Sequence, residues 1–538
     1  MSALCEYVDV HADRWHVAIH LRGEDLPEGA RAEVLLRRRG GGVAARVEGE
    51  VVPRVSTVGE WTRCALRVDL PVPVRDGAYR LEVRAPGAAR PVPVGPSAGL
   101  LVSSRPLEVA GRRVQVLPAA GRPAVWFRLA GTSPAERLAW VVRDWARDLA
   151  FAAHGRRFAW LRLARLLTRP LVPRGPVWLV GERPQTARDN GRAFFAHVRR
   201  TRPEAHVYYV IERGSPMREA VAPLGNVVDH SSWRHRLLML HAEVLANAYS
   251  VKHMLPSRWR PGAYMLQAGW RLGARRVYLK HGVHVSPEAV KRANGGYDLL
   301  AAVGPLEAEA LRATSGYAEQ VVVTGLARYD DLVPERAGRT VLFMPTWRRY
   351  LRPKLFGGGE ALVPYEGSDY QRIVEGFLSS PRLAEVLEEH DLQMLFVPHY
   401  NLAAELGGYE PTSSRIRTLD GLTADIPALL RGCDLLVTDF SSVHFDVAYL
   451  GTPVVYLQAD REQYAEGHGL GSWFDARDAG FGPVVEDVEA AVEQVGRYAA
   501  RGFEREEEFE ARVARIFAHR DRENCARILA AVDALLGR

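Results

Sequence analysis

The sequence predicts a mixed chain: a small all-β domain, a pair of basic amphipathic helices, and then two doubly wound α/β domains. Three observations predict this. Up to about residue 130, short segments such as "WHVAIHL", "RAEVLLRRR" and "YRLEVRA" alternate apolar and polar residues between Gly/Pro turns, the period-two pattern of strands joined by hairpins. From residue 175 the rhythm changes to strand, loop and helix in succession, which builds parallel sheets with crossover helices. At 538 residues the chain exceeds one ordinary core, so about three domains are expected.

Residues 1–130 read as a β-sandwich-like accessory domain with no catalytic grouping. Residues 131–175 follow as two helices. Ser133 stands at the cap position of the first, and Leu138, Val141, Val142, Trp145, Leu149 and Ala152 recur at helical spacing. Trp160, Leu163 and Leu167 mark the second. Between Glu136 and Arg174 nine arginines face three acids. Two readings stay open for this segment. It is an interfacial pair whose aromatics and guanidinium groups meet an anionic membrane surface, or a hairpin packed on the next domain.

Residues 176–333 then form an N-terminal Rossmann-like domain, with strands expected at 177–180, 207–211, 277–280, 299–303 and 321–324. Residues 334–538 form the C-terminal one, with strands at 340–344, 393–397, 435–438 and 453–457, closed by helices from residue 485 onward.

Bulk properties narrow the class. A hydrophobic fraction of 47% and a charged fraction of 25% are those of a folded globular chain, which excludes a disordered or fibrous protein. The formal charge of +7 and pI near 9.2 favour anionic partners. No apolar run reaches the roughly 20 residues of a spanning helix. Cys5, Cys64, Cys433 and Cys525 are scattered without metal-ligand spacing, and no secretory signal opens the chain, so free thiols in a cytoplasmic protein are expected. No cofactor and no tightly held metal is expected: His281 and His284 lack completing ligands, and "GHGLG" at 467–471 lacks the strand-to-helix context of a nucleotide fingerprint. Basic residues are not interleaved with aromatics on a nucleic-acid module, so no nucleic-acid partner is expected.

In open α/β sheets, ligands bind beyond the carboxyl ends of the strands. That rule selects "HGVH" after the strand at 277–280, "PTWRR" after 340–344, "PHYN" after 393–397 and "DFSS" after 435–438. A helix expected to begin near Ser441 would aim unpaired amides and a positive dipole end at an anion, with the Ser441 and Ser442 hydroxyls beside them and Thr438 close by. The alternative is that a serine merely caps its helix. Arg348, with Arg349 next to it and Thr346 two residues before, would present guanidinium groups that match phosphate geometry. His281 and His399 stand at corresponding strand ends of the two domains. One would accept a proton and the other stabilise phosphate, and spacing alone does not assign the roles.

These segments resemble the CDP-glycerol glycerophosphotransferase family, enzymes that prime or polymerise teichoic acids. The resemblance rests on "WLVGERPQTARDNGRAFFAHV", "VYYVI", "YLKHGVH", "VTGLARYDDL", "VLFMPTWR" and above all "VTDFSSVHFDVAYLGTPVVYLQADREQY", and covers residues 177–489. Where the family commonly has Trp-His-Gly-Thr, this chain has Lys280-His281-Gly282-Val283, and its second histidine stands in "VPHYN". The resemblance implies a GT-B-like pair of Rossmann-type domains that moves glycerol or ribitol phosphate from a CDP-polyol donor to a hydroxyl of a lipid-linked or polymeric polyol-phosphate acceptor, releasing CMP. It further implies His281 as base, His399 as second essential histidine, and Thr438, Asp439, Ser441 and Ser442, with Thr346 and Arg348, as the donor-pyrophosphate site. The expected location is cytoplasmic and peripheral, on the inner face of the cell membrane. A GT-B nucleotide-sugar glycosyltransferase and a non-catalytic polymer-binding scaffold remain the rival readings.

Overall fold

The computed structural model describes residues 2–22, 29–54, 63–119, 123–259, 261–286, 290–351, 363–406, 409–421, 423–468 and 473–538. The side chains of Cys64 and Arg157, and residues 469–471 of the glycine-rich stretch, lie outside them.

Ten strands open the chain: β1 Ser2–Val10, β2 Arg14–Arg22, β3 Arg31–Arg38, β4 Val43–Arg54, β5 Arg63–Pro71, β6 Gly77–Arg84, β7 Val92–Pro96, β8 Leu107–Val109, β9 Arg112–Pro118 and β10 Val125–Gly131. They differ from a plain sandwich in closing on themselves. The hydrogen-bonded order β3-β4-β5-β2-β1-β7-β6 returns to β3 through a β3–β6 pairing, and β10, β9 and β8 extend the sheet beyond β6. The physical reason lies in β4. Its first part pairs with β3 and its last four residues with β5, and a Cβ at Gly49 would sit 2.5 Å from Leu66 and Val68 side-chain carbons, so only glycine permits the inward bend. Trp15 stacks on Phe127 at 4.8 Å in the enclosed core.

Helix α1 (Ala98–Ser103) carries the front domain onto the first parallel sheet. Arg105 pairs with Asp298, and Arg292 with Asp9 at 2.6 Å, across that junction.

Helix α2 (Pro134–Ala153) begins with the expected Ser133 cap, completed by Glu136 as a reciprocal capping box. It packs through Trp140, Asp148 and Phe151, with the Arg128 guanidinium 3.6 Å from the Trp140 ring centroid. Of the expected apolar stripe, Leu138, Val141, Val142 and Leu149 are exposed, as are Trp160 and, on and after α3 (Leu161–Thr168), Leu166, Leu167 and Leu171. Several arginines turn inward. Arg162 pairs with Asp144 and Asp148, Arg165 donates to the Leu272 carbonyl, and Arg147 donates to the Pro118 carbonyl.

The first parallel sheet contains β11 Val177–Gly181, β12 His206–Ile211, β13 Val227–Asp229, β14 Ala242–Asn247, β15 Arg275–Tyr278, β16 Leu299–Ala302 and β17 Val321–Val323, in the order β13-β12-β11-β14-β15-β16-β17. The second contains β18 Thr340–Phe343, β19 Gln393–Phe396, β20 Ile416–Thr418, β21 Leu435–Thr438, β22 Val454–Leu457 and β23 Val484–Val485, in the order β20-β19-β18-β21-β22-β23. Both reverse direction of winding at their first strand, so both present a crevice at the carboxyl ends of that strand and its neighbours. Sequence reading missed β13, β20 and β23, which have two or three residues each. It also missed β14, because its helix (Trp233–His241) runs into the strand with no intervening turn residues.

Candidate active site

The chain leaves β15 through Leu279 and Lys280, and Lys280 adopts the left-handed conformation at φ 64°. A non-glycine residue tolerates that only when its surroundings over-determine it. Here the Lys280 side chain is fully buried in an ion pair with Glu307, whose carboxylate also accepts from the His284 N–H at 2.8 Å and the Val303 N–H at 2.9 Å. Asn190 donates from its amide to the Lys280 carbonyl at 2.8 Å. The turn therefore swings His281 out of the sheet into an exposed position.

His281 stacks on Tyr249 at 4.8 Å and 7° and meets His284 edge-on at 5.4 Å. Among the described residues its ring nitrogens form no hydrogen bond. The surrounding protein lowers its pKa below the ordinary 6.5, chiefly by desolvation, with Asp189 opposing and Arg328, Lys280 and Arg183 adding to the fall. The imidazole is thus neutral and able to accept a proton at neutral pH.

Beneath this turn lies a polar network. Buried Glu182 accepts from the N–H groups of Arg188, Asp189 and Arg192, closing the start of helix α4 (Asn190–Thr201). A Cβ at Gly191 would lie 2.6 Å from the Gly181 carbonyl oxygen, so glycine lets the helix start rest on the end of β11.

Arg328 ties this wall to the other one. It donates to the His281 carbonyl at 2.7 Å and to Asp189 at 2.8 Å, and its other nitrogens grip Asp446 at 2.7 to 2.9 Å. Its backbone N–H donates to Asn190 at 2.8 Å. Asp446 lies in the helix Val443–Tyr449, directly after Ser441 and Ser442. A second tie runs from Trp473 Nε1 to the His284 carbonyl at 2.8 Å. Val283, Val397 and Phe445, which lie near His281, His399 and the two serines in sequence, belong to one apolar cluster.

On the second wall Ser442 is exposed and Ser441 half-buried, and among the described residues neither hydroxyl has a hydrogen-bond partner. Neither serine caps the helix through its side chain: Ser442 has helical backbone angles and makes no cap bond. Thr346 lies half-buried nearby, its N–H on Asp439.

Thr438, Asp439 and Arg348 sit one layer deeper than the sequence suggested. Thr438 donates its hydroxyl to the Met344 carbonyl at 2.6 Å and is fully buried. The Arg348 side chain is 1% exposed and divided between Asp439 at 2.8 Å and Asp460 at 2.6 and 2.8 Å. Four of its five N–H groups are taken, two by Asp460, one by Asp439 and one by the Thr346 carbonyl, and the side chain is buried, so the expectation that Arg348 meets phosphate directly is corrected: this arginine braces the loops that begin at Thr346 and Asp439. Arg349, its neighbour, is the exposed one.

His399 is half-buried, its ring 6.1 Å from Trp347, and its Nδ1 accepts from the Asn401 N–H at 3.2 Å. That bond leaves the proton on Nε2. Burial pushes its pKa down to about 4, so the ring is neutral at neutral pH. A cavity of about 830 Å³ opens beside Asp460, between Asp369, Arg372, Gln458 and Arg461; none of the predicted site residues lines it. Among the described residues no group of three or more His, Cys, Asp or Glu is placed to hold a metal ion.

Sequence reasoning assigned no role to Tyr249, Asn190, Arg328 or Asp446. The quoted segments "ARDNG" and "GLARYDD" were the only signal available for Asn190 and Arg328.

The family model for CDP-glycerol:poly(glycerophosphate) glycerophosphotransferase matches residues 162–534. The chain is 25% identical over 368 residues to the minor teichoic acid biosynthesis protein GgaB of Bacillus subtilis (strain 168), an alignment covering 67% of this chain and 40% of that protein. It is 38% identical over 71 residues to the teichoic acid poly(glycerol phosphate) polymerase of the same organism, covering 13% of this chain and 9% of that one. It therefore spans less than half the length of these curated relatives. Among solved structures, a variant of the wall teichoic acid polymerase TagF soaked with CDPG shares the fold at a TM-score of 0.50 and 15% identity, over 74% of this chain and 98% of that chain.

Proposed function

The chain belongs to the CDP-glycerol:poly(glycerophosphate) glycerophosphotransferase family, and from that membership we propose that it transfers glycerol or ribitol phosphate from a CDP-polyol to a hydroxyl of a lipid-linked or polymeric polyol-phosphate acceptor in teichoic-acid-like polymer synthesis. The observation that supports the reading is the Arg328 bridge, which ties the His281 carbonyl to Asp446 in the helix that follows Ser441 and Ser442.

In this mechanism His281 takes the proton of the acceptor hydroxyl. The oxygen attacks the β-phosphorus in line, and the bond from that phosphorus to the bridging oxygen breaks, so CMP leaves with the electron pair. Charge on the phosphoryl oxygens is met by the Ser441 and Ser442 hydroxyls, by the amides that open the helix Val443–Tyr449, and by the neutral Nε2–H of His399. Thr346 borders this donor site. Thr438, Asp439 and Arg348 hold its loops in place.

The order of both sheets supports a GT-B-like pair of Rossmann-type domains, with acceptor chemistry on the first and the donor on the second. The outward apolar face of α2 and α3, rimmed by exposed Arg143, Arg156 and Arg169, supports peripheral attachment to the anionic inner face of the cell membrane. No described helix is long and apolar enough to cross a membrane.

Incubating the purified chain with CDP-, UDP- and GDP-linked donors and measuring released nucleotide tests the proposal. CMP release from a CDP-polyol, dependent on acceptor, is the expected outcome. Turnover of a UDP- or GDP-sugar instead, or polymer retention without any nucleotide release, would overturn it.

A further inference from the structure

His281 stands on an exposed turn, and among the described residues no hydrogen bond fixes its ring. A base held by a carboxylate on one nitrogen has its orientation set by that bond. Here the carboxylates around the turn are engaged elsewhere. Glu307 takes the Lys280 ammonium and the N–H groups of His284 and Val303. Asp189 takes the Arg328 guanidinium and the Asn190 N–H, at 2.8 Å each. The imidazole meets rings instead: Tyr249 lies parallel to it, 4.8 Å between centroids and 7° between planes, and His284 stands edge-on at 5.4 Å.

The Tyr249 ring is itself held in place. Asn247, fully buried at the end of β14, accepts from the N–H groups of Tyr249 and Ser250 at 2.7 Å each and donates to the Glu182 carbonyl at 3.0 Å. The loop after β14 is thereby clasped to the loop after β11. Ser250 caps the next turn by accepting from the Lys252 N–H at 3.2 Å. Arg183 packs on the same ring, its guanidinium carbon 4.5 Å from the centroid, and His253 meets it edge-on at 6.4 Å. Burial, and then the Asp189 carboxylate, hold the phenol above its ordinary pKa, so the ring stays neutral. His284 is fixed as well: its N–H lies on Glu307, its Nε2 is 3.2 Å from the Tyr278 hydroxyl, and its carbonyl accepts from Trp473.

We propose that Tyr249 is a positioning residue for the transfer, its ring holding the His281 imidazole in the orientation from which it takes the acceptor proton. The inference rests on the transfer reading above and names what aims its base. An unrestrained histidine ring turns about two side-chain bonds, the second of them with a broad torsional preference. A parallel aromatic partner confines the plane of the imidazole without occupying either nitrogen, so one remains to receive the proton of the acceptor hydroxyl.

The test uses the full chain with histidine labelled at Cε1 for NMR, the His281 resonance being the one lost in His281→Ala. In the unsubstituted chain its Cε1–H signal should lie upfield of an unstacked histidine, displaced by the ring current of Tyr249. Tyr249→Leu should remove that displacement and Tyr249→Phe should keep it. In steady state Tyr249→Leu should lower kcat about ten-fold to a hundred-fold with the acceptor KM little changed, because a misaimed base disturbs the reacting geometry rather than binding. Tyr249→Phe should restore most of the loss. A signal with no upfield displacement in the unsubstituted chain overturns the proposal without any variant, which covers a Tyr249→Leu protein that fails to fold. Persistence of the displacement in Tyr249→Leu, undiminished kcat in that variant, a loss confined to KM, or an equal loss in Tyr249→Phe also overturns it. The resonance needs no donor and no turnover, so failure of every CDP donor sinks the transfer reading alone, and the displaced signal still decides whether Tyr249 holds the ring.

Discussion

Arg328 and Asp446, 118 residues apart, meet in a forked ion pair at 2.7 to 2.9 Å that joins the wall carrying His281 to the helix carrying the serine turn. Both side chains are largely buried, at 20% and 9% exposure. Arg328→Ala leaves Asp446 and Asp189 charged without their partner, which costs about 3–5 kcal/mol for a buried pair. The expected result is a lowered thermal midpoint and, in protein that remains folded, loss of CMP release. An unchanged midpoint removes the bridge from the account.

His281→Ala should lower turnover by about two to four orders of magnitude while the fold persists, because general-base catalysis supplies roughly that factor. Single-turnover CMP release measures it. Near-normal release from a folded variant refutes the assignment.

Ser441→Ala with Ser442→Ala should separate from Arg348→Gln. The serine hydroxyls have no hydrogen-bond partners among the described residues, so their removal should barely move the thermal midpoint, yet reduce kcat/KM for the donor about ten-fold or more. Arg348→Gln strands two buried aspartates and should destabilise first. Equal destabilisation by both changes would contradict this division of roles.

Acid should destabilise the protein through two buried imidazoles. His235 and His444 have pKa values pushed down to about 3, in both by burial and in His235 also by His230. Since the unfolded chain binds these protons near pH 6.5, the stability present above that value is lost as pH falls from about 6.5 toward 3, by about 2 kcal/mol per group at pH 5. Thermal midpoints at pH 7.5 and 5 measure the slope. His444→Phe, which fits the ring cluster of Phe445, Tyr456, Phe474 and Phe481, should flatten it, and an unaltered slope would discard His444 as a source.

Membrane attachment should follow the exposed face rather than arginine count. Leu138→Glu with Val142→Glu, or reversal of Arg143, Arg156 and Arg169, should reduce sedimentation with anionic vesicles. Reversal at Arg162 instead attacks an internal pair with Asp144 and Asp148 and should lower stability. Unchanged sedimentation in the first two variants ends the membrane reading.

Much of the crevice was legible because its residues follow the longer apolar strands. His281, His399, Ser441 and Ser442 each stand just past a run such as "VYL", "MLFV" or "LLVT", and parallel-sheet geometry dictates where such residues go. The strands β13, β20 and β23 were too short to show a period, and β14 lacked the turn residues that mark a strand start. The stripe on α2 was legible as a stripe while its direction stayed open in the sequence, since one helix face offers Leu138 and Val142 while another offers Trp140 to the arginines of the front domain.

The amino-acid order by itself determined the longer apolar strands and the alternation of strand and helix between them, because these depend on local sterics and on apolar residues a few positions apart. Only the tertiary structure decided which charged side chains are spent inside. Arg348 and Arg349 are neighbours in sequence, and long-range partners alone made one a buried brace and left the other exposed, since the cost of burying a charge is met only by a carboxylate that the fold delivers from elsewhere in the chain.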